Sequence, residues 1–323
     1  MKTWLIKDIQ AGDGVDSRFA VINAELNSYS KGFKLDLKLA DRSGNVNAVF
    51  WDCDPKWQNK FKPGDIVHIT GLAGLFQGKI QISLNDIDVV RDGYDIAQFI
   101  PSSVHNRDKM WQKLEEIIST IENQYLKALL LRFFGDEEFA ELFKMIPAGK
   151  KWHHDFIGGL LQHTLYMLQV ADYVAGIYAK CDRDLLLSGV MLHDIGKVYE
   201  LGFPGKIDYT AKGRLEGHIS IGHHLVSSAI EKIENFPEGL AMEVQHMVLS
   251  HQGERENGSP VVPLTLEAVI LHLIDQLDSQ VNAYSRIIDE EAREGVEWSN
   301  FIKLKERYFY FGDKYIDDNR AVD

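Results

Sequence analysis

The sequence has few cysteines and no long apolar segment. Its two cysteines, Cys53 and Cys181, lie far apart in the chain, so no disulfide framework of the kind found in small secreted domains is indicated. No run of 18 or more apolar residues is present, which excludes an obvious membrane-spanning helix. The start, Met1–Trp4, does not resemble a signal peptide. We therefore expect a cytoplasmic protein that does not bind a membrane.

Positive charge is also scarce. The 323 residues include 35 Lys and Arg against 48 Asp and Glu, a net charge of −13. Residues 1–100 carry 12 basic and 13 acidic side chains, so the remaining 223 residues carry 23 and 35. Such an acidic second part disfavours non-specific attraction of a phosphate backbone. Any nucleic-acid contact must therefore rely on local cations, on stacking or on a bound metal.

The first 90 residues predict a small β-barrel. Residues 33–39 alternate strictly between apolar and polar side chains, as a half-buried strand does. Turn signals at 41–45 and 62–65 separate this strand from its neighbours. About five short strands within this length indicate a closed all-β barrel.

The rest of the chain predicts helices. From Trp111 onwards, apolar residues recur at the spacing of an α-helix. The length is enough for about two domains with separate cores. We therefore expect a multi-domain protein in which an all-β barrel precedes an all-α domain. The expected divisions are the barrel over 1–90, a linker and helical segment over 91–147, the all-α domain over 148–312 and a polar tail over 313–323.

Histidines are concentrated in the helical part, where ten of the twelve lie between His153 and His272. The adjacent pair His193–Asp194 follows the apolar run 185–192, so both side chains are expected to be buried. A buried imidazole or carboxylate is costly unless it is paired or coordinated, and a metal ion satisfies several such groups at once. Other polar groups in apolar helical surroundings are His163, His218, His251 and Asp275.

This pattern resembles the metal-binding signature of the HD-domain phosphohydrolases. The resemblance implies that a first metal ion is bound by His163, His193, Asp194 and Asp275. It also implies a second ion, bridged by Asp194 and held by His218 and His251, with His224 as a further candidate ligand. Mixed nitrogen and oxygen donors suit Mn²⁺, Co²⁺, Fe²⁺ or Zn²⁺ and do not choose among them; Mn²⁺ is the expected ion.

One departure from the pattern concerns the second ion. Some dinuclear relatives carry two adjacent histidines at the position of His251, whereas here its neighbours are Ser250 and Gln252. Occupancy of the second metal site is therefore a separate question from occupancy of the first.

The order of the two units extends the resemblance. The run from Leu35 to Trp51, followed by the turn at 62–65, is similar to an OB-fold of the nucleic-acid-binding kind. An OB-like barrel ahead of an HD domain resembles the YhaM family of 3′→5′ exoribonucleases. The resemblance implies a metal-dependent exonuclease that degrades single-stranded RNA, and also single-stranded DNA, to nucleoside 5′-monophosphates. The resemblance is also consistent with a homo-oligomer.

Two sets of residues are candidates for contact with the strand. OB barrels bind single strands by stacking bases on exposed aromatic rings, although large rings also fill small cores. A loop that follows the His-Asp pair supplies cations, although it is equally consistent with an ordinary solvated loop. The candidates are Phe19, Phe33, Trp51 and Phe76 in the barrel, and Lys206 and Arg214 in the loop.

Asp194 and Lys197 are the candidate catalytic residues. Lys197 lies three residues after Asp194 and is expected to contact a non-bridging phosphate oxygen. The alternative is an exposed lysine at a helix end, where cations are favoured in any case.

Two other functions fit parts of the pattern. One is an HD phosphohydrolase that acts on nucleotides or cyclic dinucleotides, with the barrel as a regulatory module. The other is a non-enzymatic single-strand-binding protein with a disused metal site. The intact set of buried His and Asp residues argues against the second, because such groups are costly without a metal.

Overall fold

A computed structural model describes most of the chain. The described residues are 4–57, 59–94, 98–99, 103, 105–150, 152–202 and 207–312. The predicted tail over 313–323 and Lys206 lie outside them.

The N-terminal part is a closed five-stranded barrel with the strand order β1-β2-β3-β5-β4. Neighbouring strands are antiparallel except for β3 and β5, which run parallel. This is the OB-fold, and it confirms the predicted all-β unit. The strands are β1 (Gly14–Tyr29), β2 (Gly32–Asp41), β3 (Gly44–Phe50), β4 (Ile66–Phe76) and β5 (Lys79–Val90).

Phe19 corrects one of the expectations. Along β1, Val15, Ser17, Phe19 and Val21 share the inward face of the strand, since alternate residues of a strand point to the same side. Phe19 is 0% exposed and fills the barrel core. The prediction that it stacks on a nucleic-acid base is therefore wrong.

The other three barrel aromatics lie on the surface. Phe33 is 38%, Trp51 44% and Phe76 57% exposed. The ring of Trp51 meets that of Tyr29 edge-on at 5.1 Å between centroids, and Nζ of Lys34 lies 5.6 Å from the Trp51 centroid. These aromatics remain candidates for stacking.

The second part is helical and has one extended apolar core, which confirms the predicted all-α unit. A short hairpin pairs β6 (Leu201–Gly202) with β7 (Asp208–Tyr209). Within the described residues, no helix combines the length and apolar character needed to cross a bilayer. The helices are α1 (Arg107–Ser119), α2 (Gln124–Phe134), α3 (Glu137–Met145), α4 (Gly159–Ile177), α5 (Arg183–Leu192), α6 (Lys197–Glu200), α7 (Ala211–Ile230), α8 (Glu238–Ser250) and α9 (Leu266–Glu291).

Two glycines allow α6 and α7 to meet closely. A Cβ atom added at Gly196 would lie 2.0 Å from the carbonyl oxygen of His218, so only glycine permits this approach of the two backbones. Gly217 has φ 72° and ψ 153° inside α7, a conformation that other residues rarely adopt. The resulting kink lets the backbone N–H of His218 donate to Oε1 of Glu200 at 2.9 Å.

Candidate metal centre

In the helical domain, five buried side-chain atoms of ligand type cluster without a hydrogen-bond partner among the described residues. They are Nε2 of His163, His193, His218 and His251, and Oδ1 of Asp194. An unsatisfied buried polar atom costs about 1–3 kcal/mol, so five together indicate a shared partner. A cation satisfies imidazole lone pairs and a carboxylate at once. The residues present therefore fit a bound metal ion.

The ligand-type residues come from the ends and middles of several helices. His163 lies on α4, whereas His193 and Asp194 directly follow the last residue of α5. Capping fixes where α5 starts, because the side chain of Asp182 accepts a hydrogen bond from the backbone N–H of Leu185. The remaining residues are His218 on α7, His251 just after α8 and Asp275 on α9.

Asp194 lies at the centre of the cluster. Its Oδ2 is 3.2 Å from Nε2 of His193 and 3.8 Å from Nε2 of His163. Its Oδ1 is 3.5 Å from Nε2 of His218 and 3.6 Å from Nε2 of His251. Each of its two oxygens thus faces a different pair of imidazoles, which is the arrangement expected of a bridging carboxylate.

The Nδ1 atoms of the same histidines all have partners. Backbone carbonyls accept from His193, at 2.8 Å from Val190, and from His251, at 2.8 Å from Val248. Glu200 lies 3.1 Å from Nδ1 of His218. Because a carbonyl or carboxylate only accepts, Nδ1 carries a proton in each ring, so Nε2 is the nitrogen that can turn a lone pair to a bound cation. This hydrogen bonding on the far side of the ring is typical of metal-binding histidines.

The cluster divides into two groups that share Asp194. His163, His193 and Asp194 form one group, and Asp194, His218 and His251 form the other. Asp275 adds a carboxylate to the first, with Oδ1 3.4 Å from Nε2 of His163. The structure therefore brings together all six residues proposed as ligands.

Lys197 is buried beside these groups, and its Nζ lies 2.5 Å from Oδ2 of Asp194. Burial alone would raise the pKa of the Asp194 carboxyl, but the positive charge of Lys197 and the adjacent His193 ring outweigh it and hold that pKa well below its usual range. Burial would lower the pKa of Lys197, but Asp194 outweighs it and raises that pKa. The two groups are thus an ion pair at neutral pH.

Comparison with known proteins gives matches to both units of the fold. The family model described as HD domain matches residues 160–280, and the OB-fold nucleic acid binding domain model matches residues 21–90. A third model, described as a putative helicase, matches residues 100–179.

Two curated relatives align with almost the whole chain. The 3′-5′ exoribonuclease YhaM of Geobacillus sp. (strain WCH70) is 34% identical over 305 residues, covering 93% of each chain. The chain belongs to the YhaM family. The Bacillus subtilis (strain 168) member is 34% identical over 304 residues, covering 93% of this chain and 96% of its own.

A solved OB-fold domain also matches the YhaM-family barrel. The second OB-fold domain of replication protein A from Methanococcus maripaludis is 18% identical and covers 29% of this chain and all of its own, with a TM-score of 0.24. A likeness this weak adds nothing to the assignment.

Two residues of this YhaM-family site, Asp278 and Glu200, were not predicted from the sequence. Oδ2 of Asp278 accepts from Nδ1 of His163 at 2.6 Å and from Nε2 of His154 at 2.8 Å, and Glu200 holds His218. Asp278 lies one helical turn after Asp275, on the same face of α9. Asking which carboxylate could accept from Nδ1 of each candidate histidine would have identified Asp278. No comparable signal marks Glu200, which reaches His218 only through the kink in α7.

His224 is wrongly proposed as a ligand. It lies on α7 but is exposed, and it belongs to none of the ligand groups formed by the described residues. Six residues after His218, a helix has rotated by about 240° beyond a full turn, so the two side chains point in different directions. Sequence proximity to His218 therefore misled the prediction.

Arg214 lies in a basic and aromatic group at the start of α7. Its NH2 is 3.0 Å from Oδ1 of Asp208, which also accepts from Nζ of Lys150 at 2.6 Å. Arg214 and Lys150 lie 5.6 and 5.2 Å from the ring centroid of Tyr209. The exposed Tyr209 ring is thus flanked by two cations.

We expect metal binding by this YhaM-family protein to release a proton from His163. Burial alone would lower the pKa of His163, but the carboxylates of Asp275 and Asp278 outweigh it and raise the pKa to about 9. Burial and the neighbouring His193 lower the pKa of His251 to about 3, so that ligand is already neutral. Because a ligating imidazole must lose its Nε2 proton, Mn²⁺ affinity should rise about tenfold per pH unit between pH 7 and 9.

Calorimetry at pH 7.5 in buffers of different ionisation enthalpy measures this proton directly. Ionisation of a metal-bound water would add to the release, so Asp278→Asn serves as the control, since it lowers the pKa of His163 and leaves any such water in place. Release close to one proton in the wild type, and clearly less in the variant, is expected. Equal release by the two proteins would contradict the assignment.

Proposed function

We propose that the chain is a metal-dependent 3′→5′ exonuclease that degrades single-stranded RNA to nucleoside 5′-monophosphates. The observation that carries the proposal is a set of five buried ligand atoms without a partner among the described residues. They are Oδ1 of Asp194 and Nε2 of the four histidines around it. The two relatives described above, each aligned with 93% of this chain, bear the name 3′-5′ exoribonuclease. Single-stranded DNA is proposed as a second substrate, and the barrel over 1–90 and the catalytic unit over 148–312 as the working parts.

The proposed cofactor is a pair of divalent cations, with Mn²⁺ favoured. When bound, such ions lower the pKa of a water molecule and stabilise the charge that grows on the phosphoryl oxygens. The chain contributes two ligand groups that share Asp194. The first would be His163, His193, Asp194 and Asp275, and the second Asp194, His218 and His251.

Other residues hold these ligands in place. Asp278 and Glu200 fix the orientation of His163 and His218 through their Nδ1 atoms. Lys197 holds Oδ2 of Asp194, and we propose that its charge also faces a non-bridging oxygen of the scissile phosphate. A cation that is buried and already oriented stabilises developing negative charge more strongly than one in water.

A strand would approach the site past Tyr209. The exposed ring, with Lys150 and Arg214 beside it, combines a stacking surface with two phosphate-binding cations. The backbone joins this group to the ligands, because the N–H of Thr210 donates to the carbonyl of Glu200 at 2.9 Å. This local positive charge offsets the acidic character of the chain.

The barrel would hold the part of the strand that lies upstream. Phe33, Trp51 and Phe76 offer exposed rings, and Lys34 lies above Trp51. Binding at the barrel raises the concentration of the strand at the metal centre. A homo-oligomer and a cytoplasmic location remain predictions.

Shortening of RNA tests the proposed activity. With 5′-labelled single-stranded RNA and Mn²⁺, the wild type should give a ladder that shortens from the 3′ end. Asp194→Ala should lose more than about a thousandfold in rate, because both ligand groups lose their shared carboxylate. His224→Ala is the control, since that residue is exposed and outside the ligand groups, and it should match the wild type within about twofold. Metal-loaded wild type that leaves RNA intact but hydrolyses nucleotides would favour the alternative substrates instead.

Substitution of the barrel aromatics tests the tethering role. Phe76→Ala should raise KM on a long strand by about fivefold or more, because loss of one stacked base costs about 1–3 kcal/mol. The kcat on a dinucleotide should not change, since the metal centre is intact. Tyr173→Ala removes an aromatic ring of similar exposure from α4 and should alter neither. Equal effects of Phe76→Ala on the long strand and the dinucleotide would rule out tethering by this ring.

A further inference from the structure

His153 lies beside the metal ligands but is not one of them. Both of its ring nitrogens are buried, and neither has a hydrogen-bond partner among the residues that the structure describes. Its ring centroid lies 5.2 Å from that of His163, whose Nε2 faces the ligand cluster. An unpaired imidazole therefore lies directly beside the proposed metal centre, where an unsatisfied nitrogen is costly unless a ligand completes it.

The chain on both sides of His153 is fixed while its ring is left free. The backbone N–H of His154 donates to Oδ1 of Asn282 at 2.8 Å, and its Nε2 donates to Asp278. On the other side, Arg286 NH2 donates to the carbonyl of Trp152 at 3.2 Å. His154 also has a positive φ of 42°, a strained conformation that persists only when the surroundings enforce it. These anchors on α9 present the His153 ring in one position.

The chemistry of the imidazole limits which groups can form hydrogen bonds with its two ring nitrogens. A neutral imidazole has one donor nitrogen and one acceptor nitrogen. Any oxygen of a substrate satisfies the donor, including a phosphate oxygen. The acceptor nitrogen needs a group that brings a hydrogen, and an ionised phosphodiester has none. In the sugar-phosphate part of a strand, only a hydroxyl group supplies that hydrogen.

We propose that the acceptor nitrogen of His153 binds the 3′-terminal hydroxyl of the strand. This inference rests on the proposed exonuclease function. In a 3′→5′ exonuclease the terminal hydroxyl and the first scissile phosphate belong to the same nucleotide, so the group that binds the hydroxyl must lie within one nucleotide of the metal ligands. His153 meets that condition through its contact with His163. Because internal nucleotides have no free 3′-hydroxyl, His153 would restrict cleavage to the end of the strand.

Two 5′-labelled RNAs of one sequence, ending in a 3′-hydroxyl or a 3′-deoxy nucleotide, test this role. The wild type should remove the 3′-deoxy nucleotide about tenfold more slowly or worse, since a site built to bind a hydroxyl discriminates strongly against its loss. Every later step exposes an ordinary 3′-hydroxyl, so later rates on both strands should agree and serve as an internal control. His153→Phe keeps the ring shape without its nitrogens and should bring the two first-step rates within about twofold of each other. His153→Asn, which retains an acceptor and a donor, should recover part of the discrimination.

Two further measurements separate binding of the hydroxyl from a structural role. Bound Mn²⁺ per chain should be the same in wild type and His153→Phe, and the melting temperature of the variant should not be lower, because the substitution removes two unpaired buried nitrogens. Wild type that shortens both strands at equal first-step rates would overturn the inference while leaving the exonuclease function intact. So would a His153→Phe protein that is slower on both strands by one factor. Wild type that shortens neither strand would instead overturn the proposed function itself.

Discussion

The carboxylate of Asp194 is buried among four imidazoles and one ammonium group, and the helices around it are arranged to stabilise this buried charge. Each oxygen faces a pair of histidines at 3.2–3.8 Å, and Lys197 neutralises part of the charge. Such a concentration of polar groups is tolerable in an apolar core only if each finds a partner. The protein completes one side of every ring with its own carbonyls and carboxylates and leaves the other side to a metal ion.

The backbone is shaped to bring these groups together. Glycine at 196 lets the α5–α6 connection touch α7, and the positive φ of Gly217 turns the next residue, His218, towards Glu200. Neither feature contributes a side chain, yet both decide where ligands lie. The chemistry of this site therefore rests on helix packing as much as on the identity of the ligands, in keeping with the close packing of protein interiors.

The two units and the cluster of six candidate ligands could be predicted from the sequence because their signals are local. Alternation predicts strands, and polar groups within apolar helical runs predict buried ligands. Prediction from the sequence failed where the answer depends on orientation in three dimensions. Phe19 faces inward because of the strand register, His224 faces outward because of helical rotation, and Asp278 acts through a histidine from a distant helix. A contact between two distant helices, such as that of Asp278, leaves no pattern along the chain. The errors at Phe19 and His224, in contrast, follow from the periodicities of strand and helix.

Anomalous scattering from crystals grown with Mn²⁺ tests the central claim most directly. Two Mn²⁺ peaks are expected, with Asp194 bound to both, His163 and His193 on one ion and His218 and His251 on the other. The Nδ1 atoms should keep their contacts with Asp278, Glu200 and the backbone carbonyls. A map with no peak at Asp194, in which the Nε2 atoms bond to water or to protein groups, would contradict the account.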